Sequence, residues 1–126
     1  MAAGKYSFII EQGATTNLNV KWTDASGSAV DLTGYESRMQ IRPGIESNDV
    51  YISLTSDLQP DGTGLNLSGS CNCNPPESGS IGIYISAYSS SLLNFTEAYY
   101  DLEMVNGIEV TRLLEGRVKL SKNVTR

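Results

Sequence analysis

Apolar and polar side chains alternate in short runs along most of the chain. In the longest of these, Ala98, Tyr100, Leu102 and Met104 share one face while Tyr99, Asp101 and Glu103 share the other, the period of two that marks a half-buried strand. Asn106-Gly107 follows, a dipeptide that takes the positive φ angles of a two-residue type I′ turn, so the chain is predicted to reverse there and return through Ile108 and Val110. Alternation lapses at Leu113-Leu114, passes Gly116 and resumes with Val118 and Leu120. This predicts one long strand bent at a bulge, or two strands.

The same reading along the rest of the chain predicts a first strand near residues 5–11, built on Tyr6, Phe8 and Ile10, and a second carrying Leu18, Val20 and Trp22. Trp22, the only tryptophan, is expected to be the largest single anchor of the core. Tyr35, Met39 and Ile41 oppose Glu36, Arg38, Gln40 and Arg42 in the clearest two-faced strand, which Pro43-Gly44 ends. Shorter strands are expected around Val50, Ile52 and Leu54, at Leu65-Asn66-Leu67, and through Ile81, Ile83 and Ile85. Leu92, Leu93 and Phe95, preceded by serines, suit a short helical turn within residues 87–95, and no amphipathic run of ten or more residues occurs anywhere. Each strand has one apolar face to bury. The expected architecture is therefore all-β: a single domain over residues 1–126, folded as an immunoglobulin-like antiparallel β-sandwich of seven to eight strands with at most one helical turn.

At 126 residues the chain is long enough to bury a core without disulfides or metal. It holds no apolar run of membrane-spanning length, and Met1 to Tyr6 lack the form of a secretory signal, so no membrane partner is expected. The net charge of −5 hides an asymmetry: residues 1–111 carry 13 acidic and 4 basic side chains, whereas residues 112–126 hold Arg112, Arg117, Lys119, Lys122 and Arg126 against Glu115 alone. Those five cations are the candidate partner interface, facing an acidic neighbour that a second copy would itself supply. Nucleic acid is not the expected partner, because the acidic bulk opposes phosphate and no aromatics interleave the basic run.

The residues for common catalysis are missing. There is no histidine, which removes the usual general base, the usual triads and most zinc sites. Asp101 and Glu103 point to one strand face, a geometry open to paired-carboxylate chemistry but far more common as a solvated surface. Cys71 and Cys73 are expected to be free thiols in a small-residue loop, with a bridge between two copies as the alternative. The acidic loop Asp57 to Gly62 matches no EF-hand spacing and reads as turn chemistry. Asn66, Asn94 and Asn123 head N-x-[ST] triplets and are expected to stay unmodified. Tyr84 and Tyr99, both expected to face outward, are the residues on which a carbohydrate site would be built. The chain is expected to need no cofactor or metal and not to be an enzyme.

Several segments, in order, resemble a known module: Gln12-Gly13-Ala14-Thr15, Val20-Lys21-Trp22-Thr23-Asp24, Asp31-Leu32-Thr33-Gly34-Tyr35 with Met39-Gln40-Ile41-Arg42, then Tyr100-Asp101-Leu102-Glu103, Leu114-Glu115-Gly116 and Val124-Thr125-Arg126. Together they resemble the β-sandwich of tailed-phage virion proteins, in particular the N-terminal, virion-proximal domain of baseplate and tail-fibre adaptor proteins. The resemblance implies a structural component of a bacteriophage virion, assembled in the host cytoplasm. Its partners would be other virion structural proteins, with several copies of the chain around a symmetry axis. A capsid decoration or head-to-tail completion protein is the alternative station; a carbohydrate-binding module or small hydrolase is the alternative of another class.

Overall fold

The computed structural model describes residues 4–44, 46–69, 73 and 75–122. Within them the chain forms nine strands: β1 (Gly4–Lys5), β2 (Phe8–Glu11), β3 (Thr16–Lys21), β4 (Glu36–Arg42), β5 (Ile52–Thr55), β6 (Gly64–Asn66), β7 (Ser80–Ile85), β8 (Glu97–Asn106) and β9 (Glu109–Ser121). A one-turn 3-10 segment covers Pro76–Ser78, and the helix α1 covers Ala87–Ser91. The large sheet has β9, β8, β4 and β5 side by side, with β1 and β2 both laid along the free edge of β9; the small sheet is β3-β7-β6.

An all-β sandwich is what one apolar face per strand demands. Phe8, Ile10, Met39, Ile41, Leu54, Ala98, Tyr100, Leu102, Val118 and Leu120 from the large sheet meet Leu65, Ile83 and Ile85 from the small one in a single buried cluster, capped at one end by Leu93 and Phe95. The described strands exceed the expected seven to eight because the first predicted strand is interrupted. Tyr6 and Ser7 separate β1 from β2 although both keep the same register on β9, Lys5 opposite Glu115 and Phe8 opposite Val118. Both pair with β9 in parallel, so the sandwich is not purely antiparallel.

The cause of the interruption is local. Gly116, on the central line of β9, faces Tyr100 of β8 on one side and Tyr6 on the other, where the Tyr6 N–H donates to the Glu115 carbonyl at 3.0 Å. The Tyr6 carbonyl turns inward into the space a side chain at 116 would fill: a Cβ there would stand 2.0 Å from that oxygen. The buried Tyr100 reaches beneath Gly116 and donates its hydroxyl to the same carbonyl at 2.6 Å, while its ring meets Phe8 edge-on at 5.1 Å.

Other expectations are corrected in detail. The hairpin turn lies one residue later than predicted, at Gly107-Ile108, with Asn106 paired to Glu109. Gly107 has φ 63°, and a glycine at the first central position is the pattern of a type II′ turn. The return is one strand with a bulge: Leu102 pairs with Leu114 but Glu103 with Arg112, leaving Leu113 extra. Trp22 is only half-buried. Because β3 ends at Lys21, the indole falls at the sheet's margin, packing edge-on against Tyr35 at 5.3 Å in a smaller cluster with Leu32, Ile81 and Met104. The most deeply buried side chains are instead non-aromatic, among them Ile10, Met39, Ile41, Ile83 and Leu102.

Candidate functional site

Strand register decides what the charged residues of the large sheet meet. On its outer face, cross-strand pairing assembles three rows: Arg42, Tyr99 and Arg117; then Gln40, Asp101, Glu115 and Lys5; then Arg38, Glu103 and Arg112. These rows, Arg38 apart, line a shallow basin of about 560 Å³. Of the five predicted interface cations, Arg112 and Arg117 are engaged within it. Arg112 approaches Asp101 at 3.5 Å and Glu115 at 3.8 Å; Arg117 approaches Glu97 at 3.8 Å and lies over the Tyr99 ring, 5.7 Å from its centre. Lys5 pairs with Glu115 at 2.6 Å and Arg38 with Glu103 at 2.7 Å. Such exposed pairs contribute little to stability, about 0–1 kcal/mol each, but they neutralise the face. Lys119 and Lys122 are exposed and form no ion pair with a described residue. Arg126 lies outside the described residues.

Asp101 and Glu103 share the outer face, as alternation requires. Burial, then the neighbouring Glu103 carboxylate, pushes the Asp101 carboxyl above its ordinary range against the pull of Arg112, with Glu115 adding to the rise. Glu115, directly opposite, is shifted the other way by the hydrogen bond and charge of Lys5. The basin thus holds acids already matched to cations.

The acidic loop between β5 and β6 acts as a fastener. Asp61 accepts hydrogen bonds from the Ser86 hydroxyl at 2.6 Å, the Ser89 hydroxyl at 3.2 Å and the Thr63 N–H at 2.9 Å. Ser86 in turn caps α1 by accepting from the Ser89 N–H at 3.0 Å. These bonds, led by that from Ser86, hold the Asp61 carboxyl down to about 2. Tyr84 and Tyr99 are both half-buried; Tyr84 lies against Gly62, where a Cβ would stand 3.3 Å from its ring. Cys73 is disulfide-bonded, in place of the expected free thiol. Cys71, the chain's other cysteine, lies outside the described residues.

What the sequence reading missed lies at the two ends of β9. At its start the hairpin tip carries Ile108, 100% exposed, with Val110 about half exposed and Val105 opposite Val110. Glu36 is paired with Val105 and Glu109 with Asn106, and neither acid forms an ion pair with a described residue. At the other end Ile9 is 61% exposed beside Lys119, its partner across the β2–β9 ladder. Leu113 and Leu114, of which whichever faced outward would add an apolar contact, are both half-buried against the core. A Gly-X turn signature at Gly107-Ile108 was the signal that identifies Ile108 as the tip.

Comparison of the chain with models of protein families gives no match, and no curated protein matches it.

Proposed function

We propose that this chain is a non-enzymatic structural module of a bacteriophage particle, stationed at the baseplate or tail-fibre junction and acting by holding neighbouring virion proteins. Its segment-by-segment resemblance to the virion-proximal domain of adaptor proteins motivates the station. The observation that carries the assembly role is Ile108: a large apolar side chain held wholly in water at the end of a ladder that is paired to its last residue. A solitary folded chain gains nothing from that placement, whereas a neighbour's recess would take the side chain out of water. The short edge strands β5 and β2 add unpaired backbone groups of the kind that accept a partner strand. The charge contribution is narrower than the basic run suggests, resting on Lys119 and Lys122 and on Arg117, whose pair with Glu97 is long and exposed.

Imaging of particles carrying a label on this chain tests the station. Signal at the tail supports the reading; signal on the head replaces it with a capsid decoration or head-completion role; absence from particles ends both. Reversal of Arg117 and Lys119 to Glu is expected to impair incorporation while leaving the monomer folded, because the Arg117–Glu97 pair is long and exposed. Normal incorporation of the doubly reversed protein would count against the charge contribution.

A further inference from the structure

We infer that copies of this chain associate head to tail, the β8–β9 hairpin tip of one copy seating against the Ile9–Lys119 end of the next. This deepens the assembly reading by naming one partner, a second copy, and it rests on that reading. The tip is apolar and acidic: it carries exposed Ile108 and Val110, with Glu36 paired to Val105 and Glu109 at the last paired position of the hairpin. The opposite end is apolar and predominantly basic, with exposed Ile9 beside Lys119, and Arg117 and Lys122 nearby against Glu97 and Glu11. Each end offers what the other lacks.

Geometry then narrows the mode. The 13 residues of β9, at roughly 3.3 Å per residue, separate the two ends by about 40 Å, so no copy can satisfy its own tip. A two-fold dimer can join tip to basic end only by laying two copies antiparallel along the length of β9, an arrangement that closes at two copies; its other forms set acid against acid or base against base. A heterologous contact, in which different surfaces meet, joins unlike charges and leaves one free tip and one free basic end at every stage. Such contacts close into rings or run on as filaments.

Sedimentation velocity on the purified full chain tests this, at concentrations up to about 1 mM, where a millimolar dissociation constant already gives substantial association. The mass is expected to rise with concentration beyond that of a dimer, and a wild-type chain that stops at two copies overturns the head-to-tail mode. Ile108→Asp and Ile9→Asp, both at exposed positions, are each expected to stay folded by circular dichroism and to remain monomeric. Mixed together they should form a heterodimer that grows no further, because each variant keeps the end the other has lost. A wild-type chain monomeric throughout that range, continued association of either variant alone, or failure of the mixture to dimerise overturns the inference. Self-association of a chain that particle imaging never finds would instead defeat the virion reading, and incorporation of a strictly monomeric chain would defeat only this one.

Discussion

Replacing Gly116 with alanine tests the account of how the N-terminal strands are seated. A Cβ at this position would lie 2.0 Å from the Tyr6 carbonyl oxygen, 2.8 Å from the carbonyl carbon and 3.3 Å from a ring carbon of Tyr100. The nearest atoms are backbone, so relief requires Tyr6 to leave the edge of β9. That movement breaks the Tyr6 N–H bond to Glu115 and the Tyr100 hydroxyl bond to Tyr6, worth about 1 kcal/mol each, and strands a buried hydroxyl at a further cost of about 1–3 kcal/mol. Alanine recovers roughly 0.4–1 kcal/mol by restricting the unfolded chain. The expected net loss is about 3 kcal/mol, or a fall in melting temperature on the order of 10 °C, read by urea and thermal unfolding. Amide exchange should quicken at Tyr6 and Phe8 before it does in β8. Tyr100→Phe alone should cost about 1–2 kcal/mol, yet in the alanine background it should be neutral or stabilising, because the hydroxyl it removes no longer has a partner. Gly44, whose Cβ would meet nothing within 4 Å, supplies the control substitution. Stability of Gly116→Ala within about 0.5 kcal/mol of the parent, or additive effects in the double variant, would refute the reasoning.

Three further outcomes follow from the charged groups and the tip. Asp61 is held at about 2, below its ordinary 3.8, so its stabilisation is present above about pH 4 and is lost as pH falls toward 2. Thermal melts of Asp61→Asn across that window should show a flatter acid limb than the parent's. Asp101 is shifted upward, so folding favours its protonated form and that contribution disappears as pH rises through the raised value. Asp101→Asn should therefore melt higher than the parent at pH 7, with the gain vanishing below the ordinary aspartate range; a lower melting point at neutral pH would mean that the Arg112 contact outweighs burial and the neighbouring carboxylates. Ile108→Asp should leave thermal stability within about 0.5 kcal/mol of the parent, as expected of an exposed surface site, while reducing incorporation into particles in a competition assay.

The strands were legible because a sheet buried on one face imprints its period directly. Phe8 with Ile10, Met39 with Ile41, and Leu102 with Met104 are each buried where alternation placed them. What alternation does not carry is which strand lies beside which. Lys5 meets Glu115 across 110 positions of chain, and Arg112 meets Asp101 across a bulge, so two members of a run of cations that looks free along the sequence, Arg112 and Arg117, meet acids in space. The parallel seating of β1 and β2 leaves no local mark for the same reason. Two single-position errors had larger effects than their size suggests. A turn displaced by one residue moves Ile108 from the returning strand to the tip, and a strand ending at Lys21 moves Trp22 from the core to its margin. Leu113 and Leu114 defeated the period because the bulge turns both partly inward.

The parallel seating of the first strands on the last also decides how the module meets tension. Opposite pulls applied through β2 toward the start of the chain and through β9 toward its end run along the two strands, so the Phe8–Glu11 ladder is loaded in shear, all its bonds together rather than one after another. Had the same strands run antiparallel, the same pull would peel them apart like a zip. The module is thereby most resistant along the line of its first and last strands, and Gly116, where that ladder is broken into two segments, is the point at which the resistance is set.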